Sequence, residues 1–354
     1  LSQLRVANGR AEPFAVKMWC LGNEMDGPWQ LGHRSAEDYG KLASQTAKAM
    51  RQLDPGIELV VCGSSSAQMP TFGAWERAVL SATYDDVDYI SCHAYYEPKD
   101  GDLAGFLASA VDMDRFIDAV TEIADEVQAA VGSSKRVDIS FDEWNVWYAD
   151  RYRTEDRPIG IDNWPVAPRL LEDAYSVADA VVVGSLLISL LKHADRVTSA
   201  SQAQLVNVIA PIMTEPGGPA WRQTTFFPFA TTSRLATGSS LQVDVESPEE
   251  VTAAHGSVPL IDAAATHDPE SGRTAVFLVN RSLSDPATVT IDIAALGAVH
   301  VLSAETLSDV DVMAKNTLAQ PDRVALAANA SVSHSDGAVT ITLPAVSWTA
   351  IELG

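Results

Sequence analysis

Two glutamates stand where apolar runs of strand type end. Glu24 follows the run at residues 16–21 and has Asn23 beside it, and Glu143 follows the run at residues 137–141. Packing alone gives little reason to end a buried strand in a carboxylate. Rigid strand ends that present reactive groups to a pocket are, however, typical of barrel enzymes. The two glutamates are therefore the first candidates for chemistry.

The residues around the two glutamates favour glycoside hydrolysis. This reaction uses one carboxyl group that donates a proton to the leaving oxygen and a second, ionised one that attacks the anomeric carbon. Aromatic rings such as Trp29 and Trp147 pack against sugar rings, and amides hydrogen-bond to the hydroxyl groups. Taken singly, each glutamate could be a strand-end acid with a purely structural role. Two in matched surroundings favour catalysis.

Neighbouring polar residues are weaker candidates for the same chemistry. Asp142 precedes Glu143 and so points to the opposite face of its strand, and Asp26 lies in the turn beyond the first strand. His93 is either an oriented structural histidine or a direct substrate contact, and Tyr95 is a candidate wall of the pocket. Ser64 lacks a base nearby in the sequence, which argues against a serine nucleophile.

The elements that position these residues are repeats of a strand followed by a helix. The strands have apolar residues on both faces, which indicates a parallel sheet covered by helices. Polar or aromatic residues follow each strand, at the edge where ligands bind in α/β sheets and barrels. The predicted strands are residues 16–21, 57–62, 87–92, 137–141 and a segment within 197–208. The predicted helices begin near residues 35, 72, 103 and 171, the third with a break near Ser109, and a long loop spans 148–168.

The pattern changes near residue 222. Short alternating runs separated by Gly, Pro, Asp and Ser predict an antiparallel β-sandwich with one solvated face. The sequence thus predicts a catalytic domain at 1–221 and a sandwich without catalytic residues at 222–354.

Composition limits the possible partners and location. The net charge of −23 argues against nucleic acid and anionic membranes as partners. Cys20, Cys62 and Cys92 lie within apolar runs, which predicts buried free thiols in a reducing, cytoplasmic compartment. The longest apolar run, 180–191, is too short to span a bilayer and predicts a buried helix.

Two stretches carry a resemblance to a known family. Residues 19–33 and 140–148 resemble the two signature stretches of family 51 glycoside hydrolases, the α-L-arabinofuranosidases. The resemblance extends over nearly the whole chain, through residues 60–65, 88–93, 164–168, 203–211, 218–222, 315–317 and 347–348.

This resemblance implies a retaining, exo-acting enzyme on a (β/α)₈ barrel followed by a β-sandwich. Glu24 would be the acid/base near the end of barrel strand four, and Glu143 the nucleophile near the end of strand seven. The family's pocket motifs would add Asn23, Tyr95, Trp147 and Gln204 as sugar contacts. From their position beside the two glutamates we expect His93 and Trp29 to bind substrate as well. A retaining pair requires carboxyl groups about 5 Å apart.

The resemblance also implies arabinose-containing oligosaccharides of the arabinoxylan or arabinan type as substrates. Neither a metal nor an organic cofactor is expected. The family resemblance further implies a homo-oligomer, with a hexamer as the expected state.

One departure from the family pattern concerns the number of repeats. Five strand–helix repeats correspond to strands four to eight of an eight-stranded barrel, and an open barrel would expose apolar strand edges. We therefore expect the first three strands, with further arabinose-binding residues, to come from another chain or a segment outside this sequence.

Two other functions are compatible with the residues. A barrel glycosidase of another specificity, such as a β-xylosidase or an endoglucanase, would use the same two glutamates. A non-catalytic sugar-binding fragment is the second alternative.

Overall fold

The computed structural model describes residues 1–156, 162, 165–297, 299–335 and 337–354. The chain divides into two units. The first consists of Leu1–His93 and Ala119–Phe141, and the second of Ala94–Asp118 and Asp142–Gly354. The sequence-based boundary between residues 221 and 222 stays a prediction.

The strands are numbered in chain order. They are β1 (Met18–Cys20), β2 (Glu58–Val61), β3 (Tyr89–Tyr96), β4 (Asp138–Val146), β5 (Val197–Gln202), β6 (Ile212–Thr214), β7 (Ala220–Arg222), β8 (Ser239–Leu241), β9 (Glu249–Thr252), β10 (Gly256–Pro259), β11 (Ile261–Asp268), β12 (Arg273–Asn280), β13 (Ala287–Asp292), β14 (Val301–Leu307), β15 (Ala327–Ala328), β16 (Ser333–Ser335), β17 (Ala338–Leu343) and β18 (Ser347–Leu353).

The helices follow the same numbering. They are α1 (Ser2–Ala7), α2 (Ala36–Leu53), α3 (Ala74–Thr83), α4 (Leu103–Leu107), α5 (Ala110–Val131), α6 (Ala149–Arg151), α7 (Val177–Lys192) and α8 (Phe226–Leu235), with a π-helix at Tyr152–Asp156 and a 3₁₀-helix at Ala294–Leu296.

The first five strands form one sheet in chain order, β1-β2-β3-β4-β5. β2 pairs in parallel with both β1 and β3, which confirms the predicted parallel α/β sheet. The predicted break near Ser109 is also confirmed, since α4 ends at Leu107 and α5 begins at Ala110. The helix expected from residue 171 begins only at Val177, after the Ser176 side chain accepts a hydrogen bond from the Asp179 amide.

The two outermost strands are less buried than the sequence predicts. Trp19 in β1 is 46% exposed and Cys20 is also exposed, so the prediction of a buried Cys20 thiol is wrong. Cys62 and Cys92 are buried, as predicted. In the described sheet, β1 and β5 each have a neighbouring strand on one side only. Less of the surrounding structure therefore covers their side chains.

Two antiparallel sheets form the sandwich after α8. The six-stranded sheet has the order β15-β14-β18-β12-β11-β8 and the three-stranded sheet the order β13-β17-β16. Their facing side chains, among them Val276, Ile341 and Ile351, form one hydrophobic core. In β13 exposed and partly buried residues alternate, so the predicted solvated face is confirmed for the smaller sheet.

The prediction of a solvated face is wrong for the larger sheet, because helix α7 packs against β11, β12 and β18. This helix is buried from Val177 to Leu190. A Cβ atom on Gly184 would lie only 2.1 Å from the Trp348 ring, so helix and sheet approach closely. A helix that is apolar on all sides requires cover on all sides, and the sheet provides part of it.

The loop predicted at 148–168 contains α6 and the π-helix, whereas residues 157–161, 163 and 164, including Trp164, lie outside the described residues. The apolar run at 180–191 belongs to the buried helix α7, as predicted. Among the described residues no helix has both the length and the apolar character that crossing a membrane requires.

Candidate active site

The turn after β1 is held by a tyrosine from α2. The Tyr39 hydroxyl donates to the Leu21 carbonyl at 3.1 Å and accepts from the Cys62 amide at 2.9 Å. It thereby ties the ends of β1 and β2 together where Asn23 and Glu24 follow. Glu24 has a backbone φ of 45°, a left-handed conformation that is uncommon for residues other than glycine. Such conformations cluster at functional sites, which supports a special role for this turn.

The structure brings Glu24, His93 and Trp29 into direct contact. Oε1 of Glu24 lies 3.1 Å from Nδ1 of His93, and Oε2 accepts a hydrogen bond of 2.5 Å from the Trp29 indole. His93 is buried, and the Glu24 side chain is 14% exposed. Three residues that the sequence singled out therefore form one hydrogen-bonded group in the first unit. Asn23, beside them in the chain, is exposed.

Opposing effects set the protonation of Glu24. Burial alone raises the pKa of this carboxyl group. Hydrogen bonds from His93 and Trp29 stabilise the ionised form, and together they outweigh burial, so that the pKa of Glu24 lies below its usual value. Glu24 and His93 offer an oxygen and a nitrogen that could also ligate a metal ion.

Glu143 lies in the second unit and has different partners. The Tyr95 hydroxyl donates a hydrogen bond to Oε1 of Glu143 at 2.6 Å. The Tyr95 ring meets Trp147 edge to face, with the ring centroids 5.2 Å apart. The Trp147 amide donates to the Tyr96 carbonyl at 3.0 Å, which fixes the two strand ends to each other. Three predicted site residues are thus in contact here.

Helix α7 anchors the chain directly after Trp147. The Tyr148 hydroxyl donates to Oδ1 of Asp179 at 2.8 Å, and the Tyr148 amide donates to Asp173 at 2.9 Å. Burial raises the pKa of Asp179 above its usual value, although hydrogen bonds from Ser176 and Tyr148 oppose the shift. No local pattern in the sequence signals this anchor, because its partners are 31 residues apart.

Asn145 holds the segment that contains Gln204. Its side chain is fully buried, and its amide nitrogen donates to the Ala203 carbonyl and, at 2.6 Å, to the Ile209 carbonyl. The Gln202 side chain donates to Oδ1 of Asn145 at 3.1 Å. Gln204 itself is exposed, and its amide donates to the Ile209 carbonyl at 3.2 Å. The sequence placed Asn145 beside Glu143 but did not reveal this role.

Asp26 has a structural partner, in keeping with its weaker candidacy. Its carboxylate accepts hydrogen bonds from the amide and the hydroxyl of Ser65. The next residue back, Ser64, donates its amide to the buried Glu76 at 2.8 Å. These contacts hold the segment after β2 in the first unit.

Comparison with known proteins identifies the family of this chain. The family model for the alpha-L-arabinofuranosidase 1 domain matches residues 1–128, and that for the alpha-L-arabinofuranosidase C-terminal domain matches residues 142–347. An exo-alpha-(1->6)-L-arabinofuranosidase of Bifidobacterium longum is 55% identical over 361 residues, covering 100% of this chain and 69% of the relative. The chain belongs to the α-L-arabinofuranosidases of glycoside hydrolase family 51, a family of glycosidases.

A second curated relative and two solved structures agree with this membership. An intracellular exo-alpha-(1->5)-L-arabinofuranosidase of Streptomyces lividans is 54% identical over 99% of this chain and 53% of its own length. A family 51 alpha-L-arabinofuranosidase from Bifidobacterium longum has a TM-score of 0.93 at 46% identity, covering 99% of this chain and 70% of that one. The arabinose complex of the Thermotoga maritima enzyme has a TM-score of 0.80 at 29% identity, covering 99% and 68%.

The chain therefore spans between 53% and 69% of the length of these two curated relatives. The resemblance that the signature stretches carry is confirmed.

We expect Asn145→Ala to loosen the segment that contains Gln204. The substitution removes the side-chain donor from two buried carbonyl groups, and while that of Ile209 keeps the Gln204 backbone amide, that of Ala203 loses the donor described above, at a cost of about 1–3 kcal/mol. Hydrogen exchange of the Gln204 and Ile209 amides, measured by mass spectrometry on the natural protein that carries this sequence, should rise about ten-fold or more. Gln202→Ala, which removes only a hydrogen bond to Asn145, should have a smaller effect. Unchanged exchange in Asn145→Ala would show that the segment is held by other contacts.

Proposed function

We propose that this chain carries both catalytic glutamates of a retaining exo-α-L-arabinofuranosidase. On this proposal the enzyme releases terminal α-L-arabinofuranosyl residues from arabinoxylan- or arabinan-type oligosaccharides, with Glu24 as acid/base and Glu143 as nucleophile. The observation that carries it is the contrast between the two glutamates. Glu24 is held by an imidazole and an indole in a turn where its backbone is left-handed, and Glu143 by a phenol hydroxyl within β4.

In the first step, an oxygen of the ionised Glu143 attacks the anomeric carbon. The bond from that carbon to the glycosidic oxygen breaks, and Glu24 gives its proton to the departing oxygen. The product is a covalent arabinosyl-enzyme on Glu143. The Tyr95 hydroxyl supports this role, because its hydrogen bond fixes one carboxylate oxygen and so limits rotation of the nucleophile.

In the second step, the ionised Glu24 removes a proton from a water molecule. The water oxygen attacks the anomeric carbon, the bond to Glu143 breaks, and arabinose leaves with its original anomeric configuration. Glu24 is then protonated and Glu143 ionised, as at the start. This route requires the two carboxyl groups about 5 Å apart. It uses only carboxyl groups and water.

The remaining site residues would bind the sugar. Asn23 and Gln204 have amides suited to hydroxyl groups, and Tyr95 and Trp147 have rings suited to the apolar side of a sugar. His93 would orient Glu24 and the neighbouring hydroxyl groups, and Trp29, which is 58% exposed, would meet the leaving group. The exposure of Asn23, Gln204 and Trp29 supports access by substrate.

The names of the relatives suggest finer detail about the substrate and the location. They act as exo-(1→6) and exo-(1→5) enzymes, so terminal arabinofuranosyl groups in either linkage are the proposed substrates. Several are named intracellular, which supports a cytoplasmic location. We also propose that the five-stranded sheet corresponds to strands four to eight of a (β/α)₈ barrel and that the protein forms a homo-oligomer.

The roles of the two glutamates can be separated with isosteric substitutions. We expect Glu143→Gln to abolish turnover of every arabinofuranoside, since no nucleophile remains. Glu24→Gln should lower kcat/KM about 10²–10⁴-fold for a poorly departing alkyl arabinofuranoside but much less for the 4-nitrophenyl arabinofuranoside, whose leaving group needs little protonation. The measurement is steady-state kinetics on the natural protein.

Glu122→Gln, on an exposed position of α5, is the matched control and should retain full activity. An equal loss on both substrates in Glu24→Gln would contradict its role as acid. Hydrolysis of the 4-nitrophenyl xyloside but not of the arabinofuranoside would instead support the rival β-xylosidase specificity.

The pH dependence of kcat/KM should report the hydrogen bond from Trp29. The first step requires protonated Glu24, so kcat/KM falls as the pH rises through the pKa of Glu24 in the free enzyme. Trp29→Phe removes a donor that stabilises the ionised form, which raises the pKa of Glu24. The alkaline limb of the profile should therefore move to higher pH.

Trp19→Phe is the control, because Trp19 is also exposed but donates to the Val16 carbonyl rather than to a carboxylate. Its alkaline limb should coincide with that of the natural protein. An unmoved limb in Trp29→Phe, or one at lower pH, would show that Trp29 does not stabilise ionised Glu24.

A further inference from the structure

Gly27 lies beneath the Trp29 indole in the turn that follows Glu24. It is buried, its amide donates to the Glu24 carbonyl at 2.9 Å, and its carbonyl accepts from the Gln30 amide at 3.0 Å. A Cβ atom at this position would lie 2.4 Å from Cε2, 2.5 Å from Cζ2 and 2.9 Å from Nε1 of Trp29. Real Cβ atoms do not approach other atoms this closely. The indole therefore occupies the space that a side chain at position 27 would need.

The backbone of Gly27 does not itself demand glycine. Gly22, five residues earlier, has a φ of 129°, which strains any other residue, whereas Gly27 is outside the left-handed region. The three atoms nearest to a Cβ at position 27 all belong to Trp29, so the indole is the first constraint on this position. This separates a role toward the indole from the usual role of glycine in turns.

The same indole carries the hydrogen bond to Glu24. Its Nε1 donates to Oε2, while Nδ1 of His93 lies beside Oε1, so each oxygen of the carboxyl group has one partner. Of the three ring atoms that a Cβ at position 27 would crowd, Nε1 is the donor itself, Cε2 is bonded to it, and Cζ2 is bonded to Cε2. A methyl group there would move the indole nitrogen away from Oε2.

We propose that Gly27 is a positioning residue for the acid/base Glu24, because its missing side chain lets the Trp29 indole lie on the turn and donate to Oε2. The catalytic consequence rests on the proposed function of Glu24. With both oxygens held, the carboxyl group keeps one orientation toward the leaving oxygen. With one oxygen released, the carboxyl group can rotate about the Cγ–Cδ bond. Small misplacements of catalytic groups lower reaction rates strongly.

The test begins with Gly27→Ala in the natural protein. The atoms in its way are the far end of an exposed tryptophan, so the fold should survive while the indole moves. At the pH optimum of each variant, kcat/KM for an alkyl arabinofuranoside should fall about ten-fold, and for a 2,4-dinitrophenyl arabinofuranoside less than about two-fold. Gly56→Ala is the control, because its Cβ would make only ordinary contacts of 3.6 Å.

A double-mutant cycle shows whether Gly27 acts through Trp29. In a Trp29→Ala background there is no ring to displace, so adding Gly27→Ala should change kcat/KM by less than about two-fold. A residue with a merely structural role would cost the same in both backgrounds and on both leaving groups. Either of these results would overturn the proposal.

A spectroscopic measurement tests the position of the Trp29 indole without relying on activity. The indole N–H resonance of Trp29, assigned by its absence in Trp29→Phe, should shift in Gly27→Ala toward the position of a solvent-exposed indole and stay unchanged in Gly56→Ala. An unchanged resonance in Gly27→Ala would overturn the proposal. If the natural protein releases no arabinose while this resonance shifts as expected, the proposed function is wrong, but the role of Gly27 in positioning the Trp29 indole is supported.

Discussion

A carboxylate that is largely removed from water requires hydrogen-bond donors for its oxygens, and this requirement shapes the turn after β1. Glu24 meets it with His93 from β3 and with Trp29 from the turn itself. The turn has to fold back on itself to return the indole to the carboxylate. That geometry explains both the left-handed backbone of Glu24 and the absence of a side chain at Gly27.

The need of buried polar groups for hydrogen-bond partners also orders the second unit. Asn145 is fully buried and satisfies its amide with two carbonyl groups of the segment that contains Gln204. Asp179 is buried in α7 and accepts from Tyr148, directly after Trp147. Because an unsatisfied buried polar group costs about 1–3 kcal/mol, these contacts tie the positions of Trp147 and Gln204 to the packed interior. Buried polar neighbours therefore hold these two candidate site residues in place.

The sequence predicted those parts of the structure that depend on local pattern. Apolar runs that end in polar residues located Glu24, His93 and Glu143, and short alternating runs indicated the antiparallel sandwich. The sequence failed where the outcome depends on distant partners. Apolar residues on every side of α7 predicted a buried helix but not that a β-sheet covers it, and the apolar run around Cys20 did not show how little covers β1. The roles of Asn145 and Gly27 were missed because they depend on side-chain contacts that residue spacing does not reveal.

On the proposed mechanism Glu143 forms a covalent bond to the sugar, and this intermediate can be trapped. A 2-deoxy-2-fluoro arabinofuranoside with a dinitrophenyl leaving group should label the protein, because the fluorine slows hydrolysis of the intermediate more than the good leaving group slows its formation. Mass spectrometry of proteolytic peptides should find one fluorosugar on the peptide that contains Glu143, and none in the Glu143→Gln variant. A label on Glu24 or on another residue, or labelling that persists in Glu143→Gln, would contradict the account.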